Sequence, residues 1–486
     1  MSGVCLYRCS HYRNILEGIA AAIFGPHDSD DVEHWSGVFL LQAGDPREHL
    51  YRELFNRTGN NIEFNMYDFA QSNEDDSPVS AIFNEELRLV KELEAGGRDP
   101  LEVSRPHLES MLSSVFSLPR NHDRDKVLKE EVGGYIWAKL GVSGLVTGVQ
   151  SFQVPGAPRG NNILGIWPGR HWGRVGDRVL VVGAHWDTVK HTGGLDDNGS
   201  GAAALLELAR ALSQANCTNN NTVILAHYDL EEMGGLGSLE FVQEFLLPRI
   251  LLDSQLRPRC EFTGAVILDC VLNYNNTQHS QDIEEDWTTL VPTAATNILR
   301  NNSKNISDLS GFILTSKLFS ERGNFIAAFG RNLPSDQHLA ETFRTAWNRN
   351  NPQKDIEFEN FLMQNLNQNW NNISVIADHL NLLRSDHSHF WIINNKDYFS
   401  SLPAILLSDV GPYRGYMRQC YHAECDNYNT NKTNINWEFY THTVQSLIGT
   451  YFSSDIVKGC HIIDHRYLST FHIYVLATRL FLKDNL

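Results

Sequence analysis

The 486-residue chain is long enough to bury a sizeable core, which predicts one large domain with an appendage or two to three domains. With 42% hydrophobic and 20% charged residues, the composition excludes a disordered or fibrous protein. The formal net charge of −18 argues against nucleic acid as a partner and against docking on anionic lipid, since both need a basic face. A small molecule or a peptide is therefore the expected partner.

The first part of the chain, residues 1–104, carries no recognisable chemistry, and we interpret it as an N-terminal extension, propeptide or accessory region of unknown role. It contains a predicted amphipathic helix at Ile82–Leu93. From about residue 105 the pattern becomes regular. Apolar residues at helical spacing predict helices at Asp125–Leu140, Gly201–Gln214, Gly237–Phe245, His338–Trp347 and Trp437–Phe452. Short apolar runs between turn residues predict strands at Asn162–Ile166, Val179–Gly183, Thr222–Tyr228, Gly264–Asp269, Asn324–Phe329 and Pro403–Leu407.

The alternation of these strands and helices predicts an α/β fold. We expect a three-layer sandwich in which a mostly parallel central sheet is covered by helices on both faces. This domain would span residues 105–452 and would be followed by a helical tail at 453–486. The apolar run Tyr467–Leu482 in that tail is shorter than the about 20 residues that a spanning helix needs, so no membrane span is expected.

Imidazole and carboxylate side chains follow three consecutive predicted strands at the points where the strands end. These residues are His185 and Asp187, then Glu231 and Glu232, and finally Asp269. Between the first two groups, the Gly-rich loop Gly193–Gly201 carries Asp196 and Asp197 directly into a helix. Because ligand sites of parallel sheets lie at the carboxyl ends of the strands, we expect these side chains to converge there.

This set of residue types fits a zinc centre. Imidazole and carboxylate suit Zn²⁺, and a site with an open coordination position is catalytic. Two such ions, about 3.5–4 Å apart, polarise a carbonyl and activate a water molecule. Glu231 and Glu232 are neighbours whose side chains point to opposite sides, so one can bind metal while the other acts as general base. Taken singly, each feature is common in turns, caps and solvated surfaces, but their joint order at strand ends favours a metal site.

Five segments of the chain resemble, in order, the motifs of one zinc-peptidase family. They are Gly183–Asp187, Asp196–Gly201, Glu231–Ser238, Ser385–Phe390 and Cys420–Asp426. The family includes the bacterial leucine aminopeptidases, glutamate carboxypeptidase II and the glutaminyl cyclases, and the chain is most similar to its secreted di-zinc aminopeptidases. The resemblance covers about residues 105–452 and implies the zinc-exopeptidase fold.

The resemblance implies two bound Zn²⁺ ions and assigns their ligands. His185 and Asp269 would bind one ion, and Glu232 and His422 would bind the other. Asp196 would bridge both ions and would be followed directly by a cis peptide bond.

The same resemblance assigns the remaining roles. Glu231 would be the general acid/base, and Tyr421 would hydrogen-bond the oxyanion of the tetrahedral intermediate. Asp187 would orient His185 through its other ring nitrogen. A second late histidine, His387, competes with His422 as a ligand, and we expect it to be structural.

Other residues near the motifs receive structural interpretations. The resemblance implies that a disulfide between Cys420 and Cys425 clamps the late histidine loop, with two free thiols as the alternative. We interpret His191, His227 and Trp186 as packing or surface residues.

The implied reaction is hydrolysis of the first peptide bond of a peptide, because a strongly acidic pocket would attract the free α-amino group at its N-terminus. Three alternatives stay open. A carboxypeptidase of the glutamate carboxypeptidase type would need a basic pocket, for which Arg322, Arg331, Arg384 and Arg414 are available. A glutaminyl cyclase would lack the first histidine, and a non-catalytic receptor-like relative would have lost its ligands, whereas this chain has His185 and the other ligand positions.

Nine Asn-x-Ser/Thr sequons occur in the chain. Together with the implied disulfide, they favour a secreted or lumenal glycoprotein. The sequence predicts no oligomeric state.

Overall fold

The computed structural model describes residues 99, 101–214, 221–253, 255, 257–284, 286–300, 322–350, 356–366, 373–393, 399 and 401–451. It also describes a two-residue antiparallel ladder between Val4–Cys5 and Leu41–Gln42. The predicted helix at Ile82–Leu93 and the tail segment Tyr467–Leu482 lie outside these residues.

An eight-stranded sheet forms the centre of the structure. Its strands are β1 (Val146–Gln153), β2 (Arg159–Trp167), β3 (Arg178–His185), β4 (Asn221–Tyr228), β5 (Glu261–Leu268), β6 (Phe325–Arg331), β7 (Glu357–Met363) and β8 (Ala404–Ser408). Their order across the sheet is β1-β2-β4-β3-β5-β8-β6-β7. The middle strands β4, β3, β5 and β8 run parallel. Antiparallel pairs flank them, β2 with β4 and with β1 on one side and β6 with β8 on the other, and β7 lies parallel to β6.

Helices cover both faces of this sheet. Those in the described residues are α1 (Arg105–Ser114), α2 (Lys126–Val142), α3 (Gly201–Gln214), α4 (Leu236–Glu240), α5 (Trp287–Leu290), α6 (Pro292–Arg300), α7 (Pro334–Asn350), α8 (Ile373–Asp378), α9 (Ser388–Trp391), α10 (Met417–Cys420), α11 (Tyr428–Asn431) and α12 (Trp437–Tyr451). A π-helical segment at Phe241–Leu251 extends α4. Within the described ranges, none of the helices combines the length and the apolar character needed to cross a membrane.

The alternation of side chains along each strand divides the core into two layers. On β3, Leu180 and Val182 face the layer formed with α1, α2, α3, α7 and α12. Val179 and Val181 face the opposite layer, formed with α6 and the segment Phe241–Leu251. Burial on both faces requires continuous apolar runs in the central strands, and this is the pattern from which they are predicted. The predicted α/β sandwich is therefore confirmed, as a mixed sheet with its parallel strands at the centre.

Two strands, β1 and β7, are not predicted from the sequence, and they form the two edges of the sheet. An edge strand keeps polar residues, so its apolar signal is weak. On β7 only every second residue is buried, namely Glu359, Phe361 and Met363. β1 is buried at six of its eight positions, but Thr147, Gln150 and Ser151 are among them, so its sequence also lacks a continuous apolar run.

A buried ionic network joins α1 to α3. The carboxylate of Glu207 is fully buried and accepts a hydrogen bond from the backbone N of Ser104 at 2.7 Å. It also lies 2.7 Å from Nδ1 of His107 and accepts two hydrogen bonds from Arg210 at 3.0 and 2.7 Å. Burial opposes ionisation, but Arg210 and His107 outweigh it and lower the pKa of Glu207 from 4.5 to about 2. The network therefore stabilises the packing of α1 on α3 only while Glu207 is charged.

Replacing Glu207 by Gln should lower the free energy of unfolding at pH 7 by about 3 kcal/mol, because the partner charges stay buried. Since the folded-state pKa lies below the unfolded one, this stabilisation is complete above pH 4.5 and is lost as the pH falls towards 2. Chemical denaturation at pH 7 and pH 4 measures the effect, and the difference from wild type should narrow by about 1 kcal/mol at pH 4.

The matched control is Glu130→Gln on α2, whose side chain is 50% exposed. It should change stability by less than about 0.5 kcal/mol. An equal loss in both variants would contradict the role of the buried network.

Candidate metal centre

Strand β3 delivers the first residue of the site. Its last residue, His185, is 1% exposed, and Oδ1 of Asp187 lies 3.5 Å from Nδ1 of the imidazole. The same carboxylate accepts hydrogen bonds from the backbone N of Glu231 at 3.1 Å and of Glu232 at 3.3 Å. Asp187 thus connects the end of β3 to the turn that follows β4.

The Gly-rich loop before α3 follows a tight path. Gly194 has φ +58°, and a Cβ there would collide with the loop's own backbone. Arg120 donates hydrogen bonds of 2.8 Å to the carbonyl oxygen of Gly194 and to that of the preceding glycine. Asp426 accepts hydrogen bonds from the backbone N of Asp196 at 3.0 Å and of Asp197 at 3.2 Å. These long-range contacts fix which side chain of the loop faces the site.

The turn after β4 presents two adjacent glutamates. Leu230 has φ +57°, and a short 3₁₀ segment at Glu231–Met233 follows it. Oε2 of Glu231 lies 3.9 Å from Nε2 of His185. Oε2 of Glu232 instead lies 3.2 Å from Nε2 of His422. The two neighbours therefore reach different histidines, because successive side chains of a 3₁₀ segment are rotated by about 120° around its axis.

A disulfide-closed loop brings the last histidine to the sheet edge. Cys420 and Cys425 are bonded, with Cα atoms 5.1 Å apart, and the loop between them holds Tyr421 and His422. His422 has φ +58°, and its side chain is 40% exposed. Its ring stacks on that of Tyr421 with centroids 3.9 Å apart.

Asp197 lies between two groups of metal-binding atoms. Its Oδ1 is 3.3 Å from Nε2 of His185, which is also 3.6 Å from Oδ1 of Asp269. Its Oδ2 is 3.2 Å from Nε2 of His422, which is also 3.2 Å from Oε2 of Glu232. Within each group the potential ligand atoms all lie within 4.8 Å of one another. The geometry thus offers two adjacent ion positions with one carboxylate between them.

The expectation for Asp196 is corrected by the structure. Its side chain lies on the other side of the loop, where Oδ1 accepts hydrogen bonds from the backbone N of Leu272 at 3.0 Å and from Oγ of Ser200 at 3.2 Å. The two aspartates project from different sides of the loop, and the one that faces the histidines is Asp197. The cis peptide bond likewise lies between Asp197 and Asn198, not directly after Asp196. Both predictions were wrong by one residue.

The crowding of carboxylates shifts their pKa values. Burial raises the pKa of Glu231 well above its ordinary range; His185 opposes this shift, and nearby carboxylates reinforce it. Burial and the charge of Asp197 raise the pKa of Glu232 to about 7. Burial disfavours the protonated form of His422, but hydrogen bonds with Asp197 and Glu232 outweigh it and raise the pKa of His422 to about 10. Such concentrated negative charge is the environment that a divalent cation neutralises.

The donor set fits zinc. Each group supplies one imidazole and two carboxylates, which are typical zinc ligands. Four buried atoms of the site's residues have no hydrogen-bond partner among the described residues: Nδ1 and Nε2 of His185, Oδ2 of Asp197 and Oε1 of Glu232. Buried polar atoms are almost always paired, so these atoms indicate a centre built to coordinate cations. Fold and site together define an α/β protein with a candidate two-metal centre.

A cavity opens beside this centre on the side of Asp269 and Tyr421. Its walls are mainly apolar and include Trp287, Phe329, Leu382, Leu406, Val410 and Tyr413. Arg384 also lines it and donates a 2.6 Å hydrogen bond to Oδ1 of Asn381. Burial raises the pKa of Tyr421, which keeps its hydroxyl protonated and able to donate a hydrogen bond into the cavity.

The other candidate histidines lie outside both ligand groups. His387 is fully buried, with Nε2 3.1 Å from the carbonyl oxygen of Leu382 and its ring 4.6 Å from that of Trp391. His227 is also buried, with Nε2 3.2 Å from a backbone oxygen, and His191 is exposed. His387 and His227 therefore pack in the core, and Trp186 is buried as well.

The sequence-based prediction assigned no role to three supporting residues: Arg120, Asp386 and Asp426. Asp386 and Asp426 stand inside the late motifs, so the motifs already contained a signal for them. Asp386 is fully buried, and burial raises its pKa to about 7. Arg120 lies outside every motif, and only its contacts with the Gly-rich loop reveal it.

Part of the chain is similar to a known protein family. Residues 162–325 match the model of Peptidase family M28. Leupeptin-inactivating enzyme 1 of Streptomyces exfoliatus is 32% identical over 145 residues, which are 29% of this chain and 32% of that protein. An aminopeptidase of Pseudomonas aeruginosa is 45% identical over 67 residues, which are 14% of this chain and 12% of that protein. Among solved structures, LapB from Legionella pneumophila aligns over 84% of this chain and 80% of that chain, with 15% identity and a TM-score of 0.44.

Residues 162–325 are thus similar to Peptidase family M28, in agreement with the resemblance seen in the motifs. This segment contains His185, Asp197, Asp269 and both glutamates, whereas His422 lies beyond it. The chain spans a third or less of the length of these two curated relatives.

Asp197→Asn should weaken zinc binding at both positions by about 100-fold, because it removes charge from the carboxylate that faces both histidines. Asp196→Asn is the matched control, since its side chain lies on the other side of the loop and keeps an acceptor oxygen for Leu272. Zinc content after dialysis and competition with a chelator of known affinity measure both variants. Loss of zinc in Asp196→Asn alone would return the bridging role to Asp196.

Proposed function

We propose that the chain is a zinc-dependent aminopeptidase that hydrolyses the first peptide bond of its substrates at a two-zinc site. The observation that carries the proposal is the pair of ligand groups sharing Asp197, bordered by a carboxylate that belongs to neither. That carboxylate is Glu231, whose Oε2 lies 3.9 Å from Nε2 of His185. A general base needs this position, next to the centre but outside its ligands. The match to a peptidase family supports amide hydrolysis as the reaction class.

In this proposal His185 and Asp269 would hold one zinc ion, Glu232 and His422 would hold the second, and Asp197, which belongs to both ligand groups, would contribute to both. Zinc in these positions would polarise the scissile carbonyl and lower the pKa of a water molecule.

The chain's own residues supply the proton transfers. Glu231 takes a proton from the attacking water and passes it to the leaving amine. The protonated hydroxyl of Tyr421 donates a hydrogen bond to the developing oxyanion. Asp187 stands beside Nδ1 of His185 and holds the ring in orientation.

The arginines support aminopeptidase over carboxypeptidase action. Of the four candidates for a basic pocket, Arg384 alone lines the cavity in the part of the chain that the structure describes. Arg331 is buried and paired with Asp336 at 2.8 Å. Arg414 is fully buried and Arg322 is half-buried, and each donates a hydrogen bond to a backbone oxygen. The cavity is lined by one arginine and borders an acidic centre. Because that centre is negatively charged, it suits a free α-amino group better than a terminal carboxylate.

Two further alternatives are less well supported. A glutaminyl cyclase would lack the first histidine, yet His185 stands 3.3 Å from Asp197. A receptor-like relative would have lost its ligands, whereas both groups are complete here.

We also propose a secreted or lumenal location and N-glycosylation. The bonded pair Cys420–Cys425 supports an oxidising compartment. The sequon at Asn275 lies at the surface, with Asn276 and Thr277 exposed. Peptides with a free N-terminus are the proposed partners.

Glu231→Gln should lower kcat by about 10³-fold while both zinc ions stay bound, because the amide cannot accept the proton of the attacking water. Its neighbour provides the control, since Glu232→Gln should lose zinc at one position. Steady-state rates on a chromogenic aminoacyl anilide, with zinc content measured in parallel, separate the two effects. A near-normal rate in Glu231→Gln would refute the base assignment.

Peptides blocked at one end test the direction of cleavage. The free peptide and its C-terminal amide should lose their first residue, whereas the N-acetylated peptide should stay intact, as followed by mass spectrometry. Chelation should abolish the activity, and added zinc should restore it. Cleavage of the acetylated peptide from its C-terminus would identify a carboxypeptidase, loss of ammonia from an N-terminal Gln a cyclase, and no reaction a binding protein.

A further inference from the structure

A buried lysine stands behind the metal centre. Lys129 on α2 is 6% exposed, and its Nζ lies 2.5 Å from Oδ1 of the fully buried Asp229. The same ammonium lies 5.1 Å from the ring centroid of Trp186, the residue between His185 and Asp187. A charged pair at this depth costs desolvation free energy, and the mechanism above gives it no task.

Asp229 precedes the turn that carries Glu231 and Glu232. It is the first residue after β4, and its Oδ1 accepts a 2.8 Å hydrogen bond from the backbone N of Leu230. Its Oδ2 accepts a 2.9 Å hydrogen bond from the backbone N of Asn161, and its own N donates to Oδ1 of Asn162 at 3.0 Å. Oδ2 and the backbone N of Asp229 are therefore anchored to β2, and Oδ1 joins the turn to Lys129 on α2.

The turn itself needs such anchoring. Leu230 has φ +57°, a left-handed conformation that is unfavourable for a residue with a Cβ. Such a conformation persists only where the surroundings impose it. The hydrogen bond from Leu230 to Asp229 is one of the contacts that do so, together with those that Asp187 accepts from Glu231 and Glu232.

We propose that Lys129 is a positioning residue of the metal centre. Its ammonium holds the Asp229 carboxylate, and that carboxylate sets the Leu230 turn that directs Glu231 and Glu232 into the site. The roles of the two glutamates rest on the proposed function. Without the ammonium, a buried carboxylate is left without its counter-charge, so it must rotate or take up a proton, and either change loosens the turn.

The first variant is Lys129→Met, which keeps side-chain length and removes the charge. We expect kcat to fall about tenfold or more with KM within about threefold, and the affinity for one zinc ion to fall about tenfold. The matched control is Lys139→Met, which removes another 6% exposed lysine from the same helix, where it contacts His107 instead. It should lower the thermal midpoint without changing kcat or zinc affinity.

Two double variants decide the question even where Lys129→Met fails to fold. Lys129→Met/Asp229→Asn and Lys129→Met/Asp229→Leu both remove the unpaired charge, but only Asn keeps an acceptor for the Leu230 amide. The Asn variant should regain kcat and zinc affinity to within about threefold of wild type, and the Leu variant should remain about tenfold lower. Equal values for the two double variants would overturn the proposal. Wild-type kcat and zinc affinity in Lys129→Met, with only a lower thermal midpoint, would overturn it as well.

The readouts separate this inference from the proposed function. If the wild-type protein cleaves peptides and binds zinc but the variants do not differ, only the role of Lys129 fails. If the wild-type protein cleaves no peptide, the proposed function fails, and the zinc affinities of the same variants still test the positioning of Glu232.

Discussion

One buried guanidinium shapes the backbone from which the site projects. Arg120 is fully buried and donates hydrogen bonds of 2.6–2.9 Å to the carbonyl oxygens of Phe116, Leu118, Trp186, Gly193 and Gly194. A buried carbonyl left without a partner costs about 1–3 kcal/mol, so one cation satisfies groups that the loop could not otherwise bury. Burial lowers the pKa of Arg120 to about 10, which leaves it charged at neutral pH. Hydrogen bonds to this one guanidinium therefore hold together the end of α1, the end of β3 and the Gly-rich loop.

A layer of carboxylates then orients the candidate ligands through their backbone amides. Asp426 receives the amides of Asp196 and Asp197, and Asp187 receives those of Glu231 and Glu232. Asp197, Glu231 and Glu232 are therefore each directed by a carboxylate outside the two ligand groups, whereas the backbone N of Asp269 donates to the carbonyl oxygen of Leu407. This arrangement places much negative charge in a small volume. It is compatible with folding because backbone amides, buried cations and the metal ions of the proposed centre together compensate that charge.

The sequence predicted what local pattern determines. Continuous apolar runs indicated the central strands, residue types at strand ends indicated the region of the site, and the family resemblance added a histidine far along the chain. The edge strands β1 and β7 were missed because polar residues interrupt their apolar ones and leave no continuous apolar run. The choice between Asp196 and Asp197 was missed for a different reason. Either residue carries the same chemistry, and contacts with Arg120 and Asp426, distant in sequence, decide which one turns inward.

The shared position of Asp197 has a consequence for the order in which the centre forms. One ligand group closes within residues 185–269, whereas the other also requires residue 422. Closing a longer loop costs more entropy and slows the formation of the contact. The inward direction of Asp197, which belongs to both groups, depends on Asp426 in the late loop, so neither ion position is complete before that loop has docked. The two candidate positions of the proposed centre therefore form together, and docking of the late loop is the step that completes both.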